Sequence, residues 1–324
     1  MTSAAPELLD LLSAGMPVSG ADLAQRLGVS RAAVWKQVEA LRAAGLPIEA
    51  QAGQGYRLAR PLDRLDAGRI RRALPASVRK QVGALAVHWK LDSTSSELLR
   101  RVDELPDRAF VFAEMQTAGR GRRGRVWVSP PMGNLAFSCL KRFDHGYAAL
   151  SGLSLAIGVT AARALEACGV QGIGVKWPND LVHRDAKLAG ILVELGGEFL
   201  GPCHAVIGIG INLQLPDDAR AVIAQPVTDL AACCGEVPVR NRLAAAMIEH
   251  LCEALDLFAE SGFAAFAPAY VERDALRGRT LRVDDPRGMF EGVAMGVDAR
   301  GALRVRTTHG EKSVDSAEVT VRAR

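Results

Sequence analysis

The 324 residues predict an α+β protein in three parts. These are an N-terminal winged helix-turn-helix, a central mixed α/β domain and a small SH3-like β-barrel at the C-terminus. Three observations carry that reading. Short helical patterns followed by two strands around a glycine turn occupy the chain to about Asp66. Strands then alternate with long alanine-rich helical patterns to about Arg273. From Asp274 onward the chain is a series of short alternating runs separated by turn residues. The expected domains are therefore 1–66, 67–273 and 274–324.

In the first part, Leu8, Leu9, Leu11 and Leu12 give a short amphipathic helix that should end near Gly15. Ser19 followed by Asp22 is a capping box for a second helix carrying Leu23, Ala24 and Leu27 and stopping at Gly28. Ser30 caps a third, in which Val34, Val38 and Leu41 share one buried face and Gly45 marks the end. Ile48–Leu58 then reads as a hairpin around Ala52-Gly53-Gln54-Gly55. If the third helix enters a DNA major groove, Arg31, Ala32, Trp35 and Lys36 face bases and phosphates. The alternative is a helical module that binds protein. Met1–Arg60 holds six basic and five acidic residues, so attraction to phosphate must come from local placement.

In the second part, Ala84–Trp89, Ala109–Met115, Leu135–Leu140, Val175–Trp177, Leu188–Leu195 and Ala205–Ile211 read as strands. Ala148–Cys168 and Arg240–Ala259 read as long helices. In the third, Thr280–Val283, Gly292–Val297 and Ala302–Arg306 are among five short strands expected for the barrel.

Composition excludes several classes. Apolar residues make up 49% and charged residues 23% of the chain, which suits globular domains and not a disordered or fibrous chain. Charge or glycine interrupts the apolar stretches before the roughly 18–20 residues of a membrane span, so no membrane partner is expected. Met1–Asp10 carries acids and no basic segment before an apolar run, so it does not read as a secretory signal and the expected location is cytoplasmic. Cys139, Cys168, Cys203, Cys233, Cys234 and Cys252 form no CxxC pair, and the histidines are dispersed. Reduced thiols and no protein-built metal site follow. A net charge of +4 neither requires nor excludes nucleic acid.

Four segments carry chemistry. Gly119–Arg125 contains GxGxxG, but Val126-Trp127-Val128-Ser129-Pro130-Pro131 follows it, an extended run that cannot be the helix a dinucleotide fold needs. What remains is a loop of four arginines, suited to phosphate or carboxylate, mobile when empty and ordered by a bound anion. The alternatives are an RNA-binding tract or a solvated loop. Lys176-Trp177-Pro178-Asn179-Asp180-Leu181 precedes Lys187, which opens an apolar strand; a lysine there meets an anion or reaches solvent. Asp92-Ser93-Thr94-Ser95-Ser96-Glu97 places hydroxyls between a strand and a helix, either for a polar ligand or as a Thr94–Glu97 capping box. Gly208 and Gly210 lie in the apolar strand Ile207–Asn212, where glycine marks close approach of a ligand or a neighbouring element.

Together these strings resemble the bifunctional biotin–protein ligases that are also biotin-operon repressors. The match lies in Asp92-Ser93-Thr94, Gln116–Arg125, Lys176–Leu181, Lys187–Leu192 and Gly208–Asn212, in the family's order and spacing. The resemblance covers nearly the whole chain and implies a central domain of the biotin/lipoate ligase type. It implies that Ser93, Thr94, Ser95 and Gln116 surround the ureido ring of biotin. Arg120, Gly121 and Arg122 would close over biotin and adenylate, and Lys187 would contact the biotin carboxylate and the phosphate. Gly190 and Asn212 belong to the same binding set, and Arg322 would help to hold the nucleotide. Ser95 stands where the family commonly has asparagine, and Gln54 where the repressors' wing is often basic. The implied catalytic residues are Lys187, Arg120, Arg122 and Asp180, with biotin and ATP as substrates and Mg²⁺ as companion ion. The implied partners are biotin carboxyl carrier protein of acetyl-CoA carboxylase, operator DNA and, with adenylate bound, a second copy of the chain. Competing readings are a ligase whose winged helix has no regulatory role, a lipoate or octanoyl transferase, and a sensor without enzyme activity.

Overall fold

The computed structural model describes residues 5–13, 15–59, 61–285, 288–315 and 320–323. Its first helices are α1 (Ala5–Leu12), α2 (Gly20–Leu27) and α3 (Arg31–Ala43), followed by the hairpin β1 (Ile48–Gln51) and β2 (Gly55–Leu58). The caps form as the sequence implies. Ser19 Oγ accepts from the Asp22 amide and Ser30 Oγ from the Ala33 amide, satisfying orphan donors of the first turn. Gly28 ends α2 in the left-handed region. Leu8, Leu9, Leu12, Leu23, Val34, Val38, Leu41, Ile48 and Leu58 bury one another in a core of their own.

The central domain adds α4 (Ala67–Ala73), α5 (Ala76–Gln81), β3 (Ala84–Leu91), α6 (Thr94–Arg100), β4 (Ala109–Gln116), β5 (Asn134–Phe143) and α7 (Leu153–Ala167). β6 (Ile173–Lys176), β7 (Asp180–His183), β8 (Ala186–Gly197) and β9 (Cys203–Asn212) follow. α8 (Asp217–Ala221), α9 (Leu230–Cys234), α10 (Arg240–Ser261) and α11 (Ala267–Arg273) complete it. The strands make one mixed sheet in the order β3-β4-β5-β9-β8-β7-β6, with only β3 and β4 parallel.

Alternation sorts the residues of this sheet between its faces. Phe110, Phe112, Leu135, Phe137 and Cys139 join the large core with α7 and α10. Ala109, Val111, Leu140 and Val206 pack with Leu98 of α6 in a separate cluster. The expected single helix Ala148–Cys168 is two pieces, a 3₁₀ turn at Tyr147–Leu150 and then α7. Gly152 separates them with φ 79°, and a Cβ there would stand 2.7 Å from the Phe263 ring.

The last strands, β10 (Thr280–Asp285), β11 (Gly288–Val297), β12 (Leu303–Thr307), β13 (Gly310–Val314) and β14 (Thr320–Ala323), form an antiparallel sheet in the order β13-β12-β11-β10-β14. Leu281, Val283, Ala294, Leu303 and Val305 share the large core with the central domain. The buried Trp177 donates Nε1–H to the Gly301 carbonyl at 3.1 Å, which ties the Lys176–Leu181 segment to this sheet. No helix among the described residues is long and apolar enough to cross a membrane.

Candidate functional site

On the α6 face of the central sheet, register aligns a row of small residues. Ala113 pairs with Ala136, Ala136 with Gly210, Gly210 with Gly190, and Gly190 with Asp180. The neighbouring row runs Val111, Ser138, Gly208 and Leu192. Side chains of one or no carbon leave a trough across four strands, and Trp127 lies in it. A Cβ on Gly210 would fall 2.4 Å from the indole Cε2, and one on Gly190 would be 3.2 Å from Cζ3. The glycines serve close approach, and the approaching element is this tryptophan.

Trp127 gets there through the arginine loop, which has definite structure. Trp127 N donates to Gly119 O at 2.9 Å and Gly121 N to Arg125 O at 2.7 Å, with Arg120 bridged to Val126 and a 3₁₀ turn at Arg122–Gly124. Arg120 pairs with Glu194 at 2.6 Å. Arg122 Nη1 donates to Asn179 Oδ1 at 3.4 Å. Burial lowers the Arg122 pKa, opposed by the charge of Asp180 and reinforced by Arg123 and Arg125.

One end of the trough is lined with hydroxyls. Thr94 and Ser95 both hydrogen-bond Ser138 Oγ, at 2.7 and 2.9 Å, and Gln116 Oε1 accepts from the Thr94 amide at 2.8 Å. All three hydroxyl residues are buried. The helix cap here differs from the expected Thr94–Glu97 box: Ser93 is the N-cap, accepting from the Ser96 amide, because Thr94 turns its hydroxyl to the sheet. Glu97 pairs with Arg100 instead.

The other end carries charge. Lys187 Nζ meets Asp180 Oδ1 at 2.7 Å and lies 5.7 Å from the centre of the Trp127 ring. Asn179 holds the turn beneath by donating Nδ2–H to the Ile191 carbonyl at 2.7 Å. The site thus joins a polar pocket, an apolar trough and a half-buried cation, with arginines above.

The structure brings Thr94, Ser95, Gln116, Arg120, Arg122, Asp180, Lys187 and Gly190 to this face. Ser93 spends its hydroxyl on the cap, and Gly121 closes the hairpin. Asn212 is 2% exposed and donates to the carbonyls of Thr228 and Lys187, so it acts beneath the site. Arg322 sits opposite Arg282 in the β10–β14 pairing, and its side chain lies outside the described residues. Arg31, Ala32, Trp35 and Lys36 are exposed together on α3, far in sequence from this trough. Sequence reasoning missed Trp127 and Ser138. The alternating small residues Ala136 and Ser138 were the available signal.

Among the described residues no three His, Cys, Asp or Glu side chains are grouped to hold a metal ion.

Comparison with known proteins agrees with this geometry. Residues 89–212 match the Biotin/lipoate A/B protein ligase family and residues 7–57 match an HTH domain. The chain is 39% identical to Bifunctional ligase/repressor BirA of Salmonella typhimurium over 316 residues, covering 98% of this chain and 97% of that one. It is 33% identical to the Bacillus subtilis protein of the same name, covering 93% of each. The structure of biotin protein ligase from Aquifex aeolicus in complex with biotin and ATP superposes with a TM-score of 0.64 at 26% identity, covering 74% of this chain and 99% of that chain.

Proposed function

Because the chain belongs to the biotin/lipoate A/B protein ligase family, in its form with an N-terminal HTH domain, we propose that it is an ATP-dependent biotin–protein ligase and a biotin-responsive repressor. The observation that carries the ligase reading is the small-residue trough between a hydroxyl pocket and Lys187. Biotin has the same order of chemistry: a polar ureido ring, an apolar body and a terminal carboxylate. Thr94, Ser95 and Gln116 answer the ring, the trough with the Trp127 indole as its wall answers the body, and Lys187 answers the carboxylate.

The reaction has two steps. A carboxylate oxygen of biotin attacks the α-phosphorus of ATP, expelling diphosphate and giving biotinyl-5′-AMP. A carrier lysine then attacks the acyl carbon and releases AMP. The first step brings two anions together, so Lys187, Arg120 and Arg122 lower its barrier by opposing the developing negative charge. Asp180 pairs with Lys187 and becomes available to orient the carrier amine or take its proton when the ammonium turns to the substrate. The hairpin that carries Trp127 and the arginines shields the mixed anhydride from water. Ser93 and Gly121 shape the pocket, Gly190 and Asn212 support it, and Arg322 belongs to the nucleotide subsite. Among the described residues Asp180 is the carboxylate paired with Lys187; Mg²⁺ would come with the ATP phosphates and would screen their charge.

Residues 1–66 then form the DNA-binding domain, 67–273 the ligase and 274–324 its C-terminal support. Arg31, Ala32, Trp35 and Lys36 face operator DNA, the carrier is the biotin carboxyl carrier protein of acetyl-CoA carboxylase, adenylate favours a homodimer, and the protein works in the cytoplasm.

The test is biotin-dependent release of diphosphate from MgATP. Wild type should release it, and Lys187→Gln should lower kcat/KM by about 10²–10³-fold. Release that does not depend on biotin contradicts the ligase reading.

A further inference from the structure

Lys187 is held from behind as well as facing the site. Its amide donates to the Pro226 carbonyl and its carbonyl accepts from the Thr228 amide, each at 2.9 Å. Asn212 Nδ2 fastens this strap by donating to Thr228 O at 2.9 Å and to Lys187 O at 3.4 Å. Behind Asn212 the bonds continue. Asn134, its register partner in β5, donates Nδ2–H to Asn212 Oδ1 at 2.9 Å. The Asn134 carbonyl accepts from Arg240 Nη2 at 3.2 Å.

Arg240 is 5% exposed and pairs with the buried Glu114 at 2.7 Å. It donates Nη1–H to the Asp63 carbonyl at 3.0 Å, and its amide donates to Asp63 Oδ2 at 2.6 Å. Glu114 Oε1 accepts from the Leu65 amide at 2.6 Å, and Asn241 Oδ1 from the Asp66 amide at 2.8 Å. Asp63, Leu65 and Asp66 lie in the connection between the winged helix and α4.

We propose that Asn134 and Asp63 are positioning residues for ligation: the hydrogen-bond chain that runs from half-buried Asp63 through the buried Arg240, Asn134 and Asn212 sets the place of Lys187 and makes the connection to the DNA-binding domain part of the active-site support. The proposal rests on the reading of Lys187 as the lysine that meets biotin's carboxylate. Buried amides and guanidinium groups that lack partners are costly, so the members move together or lose bonds. A shift of the linker is therefore felt at the start of β8, where a fraction of an ångström in Lys187 changes charge stabilisation.

The test uses the full-length protein and biotin-dependent diphosphate release. Asn134→Ser removes the Nδ2–H donor to Asn212, and Asp63→Ala removes the carboxylate that accepts from the Arg240 amide and from Asn241 Nδ2, loosening the linker on Arg240 without touching the site. Glu166→Gln is the control; it weakens the ion pair with Arg273, 2.8 Å long, elsewhere in the domain. The expected result is a loss of about 10-fold in kcat/KM for biotin in both variants, with wild-type kinetics in Glu166→Gln at a comparable fall in thermal midpoint. Asp63→Asn, which keeps an accepting oxygen, should recover most of the loss. In the double variant the two effects should fall short of their product, because they break one chain. If both variants stay within about twofold of wild type while their midpoints fall, or if Glu166→Gln loses as much kcat/KM, the network only stabilises the fold and the proposal is wrong. If Asn134→Ser does not fold, Asp63→Ala and its Asn rescue decide alone. A wild type that releases no diphosphate with biotin removes the reading of Lys187, and the proposal with it.

Discussion

At position 210 the indole of Trp127 takes the space of a side chain. A Cβ there would lie 2.4 and 2.5 Å from two ring carbons, far inside contact distance. Gly210→Ala should therefore push the ring off the trough and cost about 1–3 kcal/mol of stability; an unchanged urea midpoint would show that the ring does not rest there. Asp274 gives a second residue-scale prediction. Burial raises its carboxyl pKa above the ordinary aspartate range, while the Leu276 and Arg277 amides pull it back. The folded state thus holds this proton more tightly than the unfolded chain does. Its contribution to stability is fully present below the unfolded value and lost as pH rises through the folded one. Asp274→Asn keeps an oxygen for the Leu276 amide, bonded at 2.9 Å, without the charge. Its thermal midpoint should exceed wild type near neutral pH, with the gap closing on acidification; a gap independent of pH contradicts this.

Elements depend on caps and on register. Ser30 accepts from the Ala33 amide at 3.1 Å and starts the helix whose exposed side carries Arg31, Ala32, Trp35 and Lys36. Ser30→Ala should cost about 1 kcal/mol and weaken DNA binding while biotin-dependent diphosphate release is unchanged; undiminished DNA affinity would place the DNA contact elsewhere. These helices were legible in the sequence because cap, apolar spacing and glycine stop are local signals that agree. Val34, Val38 and Leu41 are buried as their spacing implies. The break before α7 was not legible, because Gly152 reads as a tolerable glycine until Phe263, distant in sequence, packs on it. The trough was half legible. Gly208 and Gly210 announced close approach, but only the pairing of four strands puts Ala113, Ala136, Gly210 and Gly190 in one row. Trp127 looked like part of an extended run, and its role depends on the hairpin folding back over that row.

The central sheet and its helices are bonded to both terminal parts of the chain. Trp177 bonds the C-terminal sheet at Gly301, and Arg240 with Glu114 gathers the linker to the winged helix. On this account, adenylate bound under the hairpin is both reaction intermediate and signal, and any preference it has for a DNA-bound dimer must be returned as tighter adenylate binding on DNA. All of this depends on the transfer of biotin to protein. The direct measurement is the intact mass of a biotin carboxyl carrier domain after incubation with this protein, biotin and MgATP. The account predicts a gain of one biotinyl group that disappears when ATP is omitted. No gain, with a known ligase modifying the same carrier under the same conditions, would contradict it.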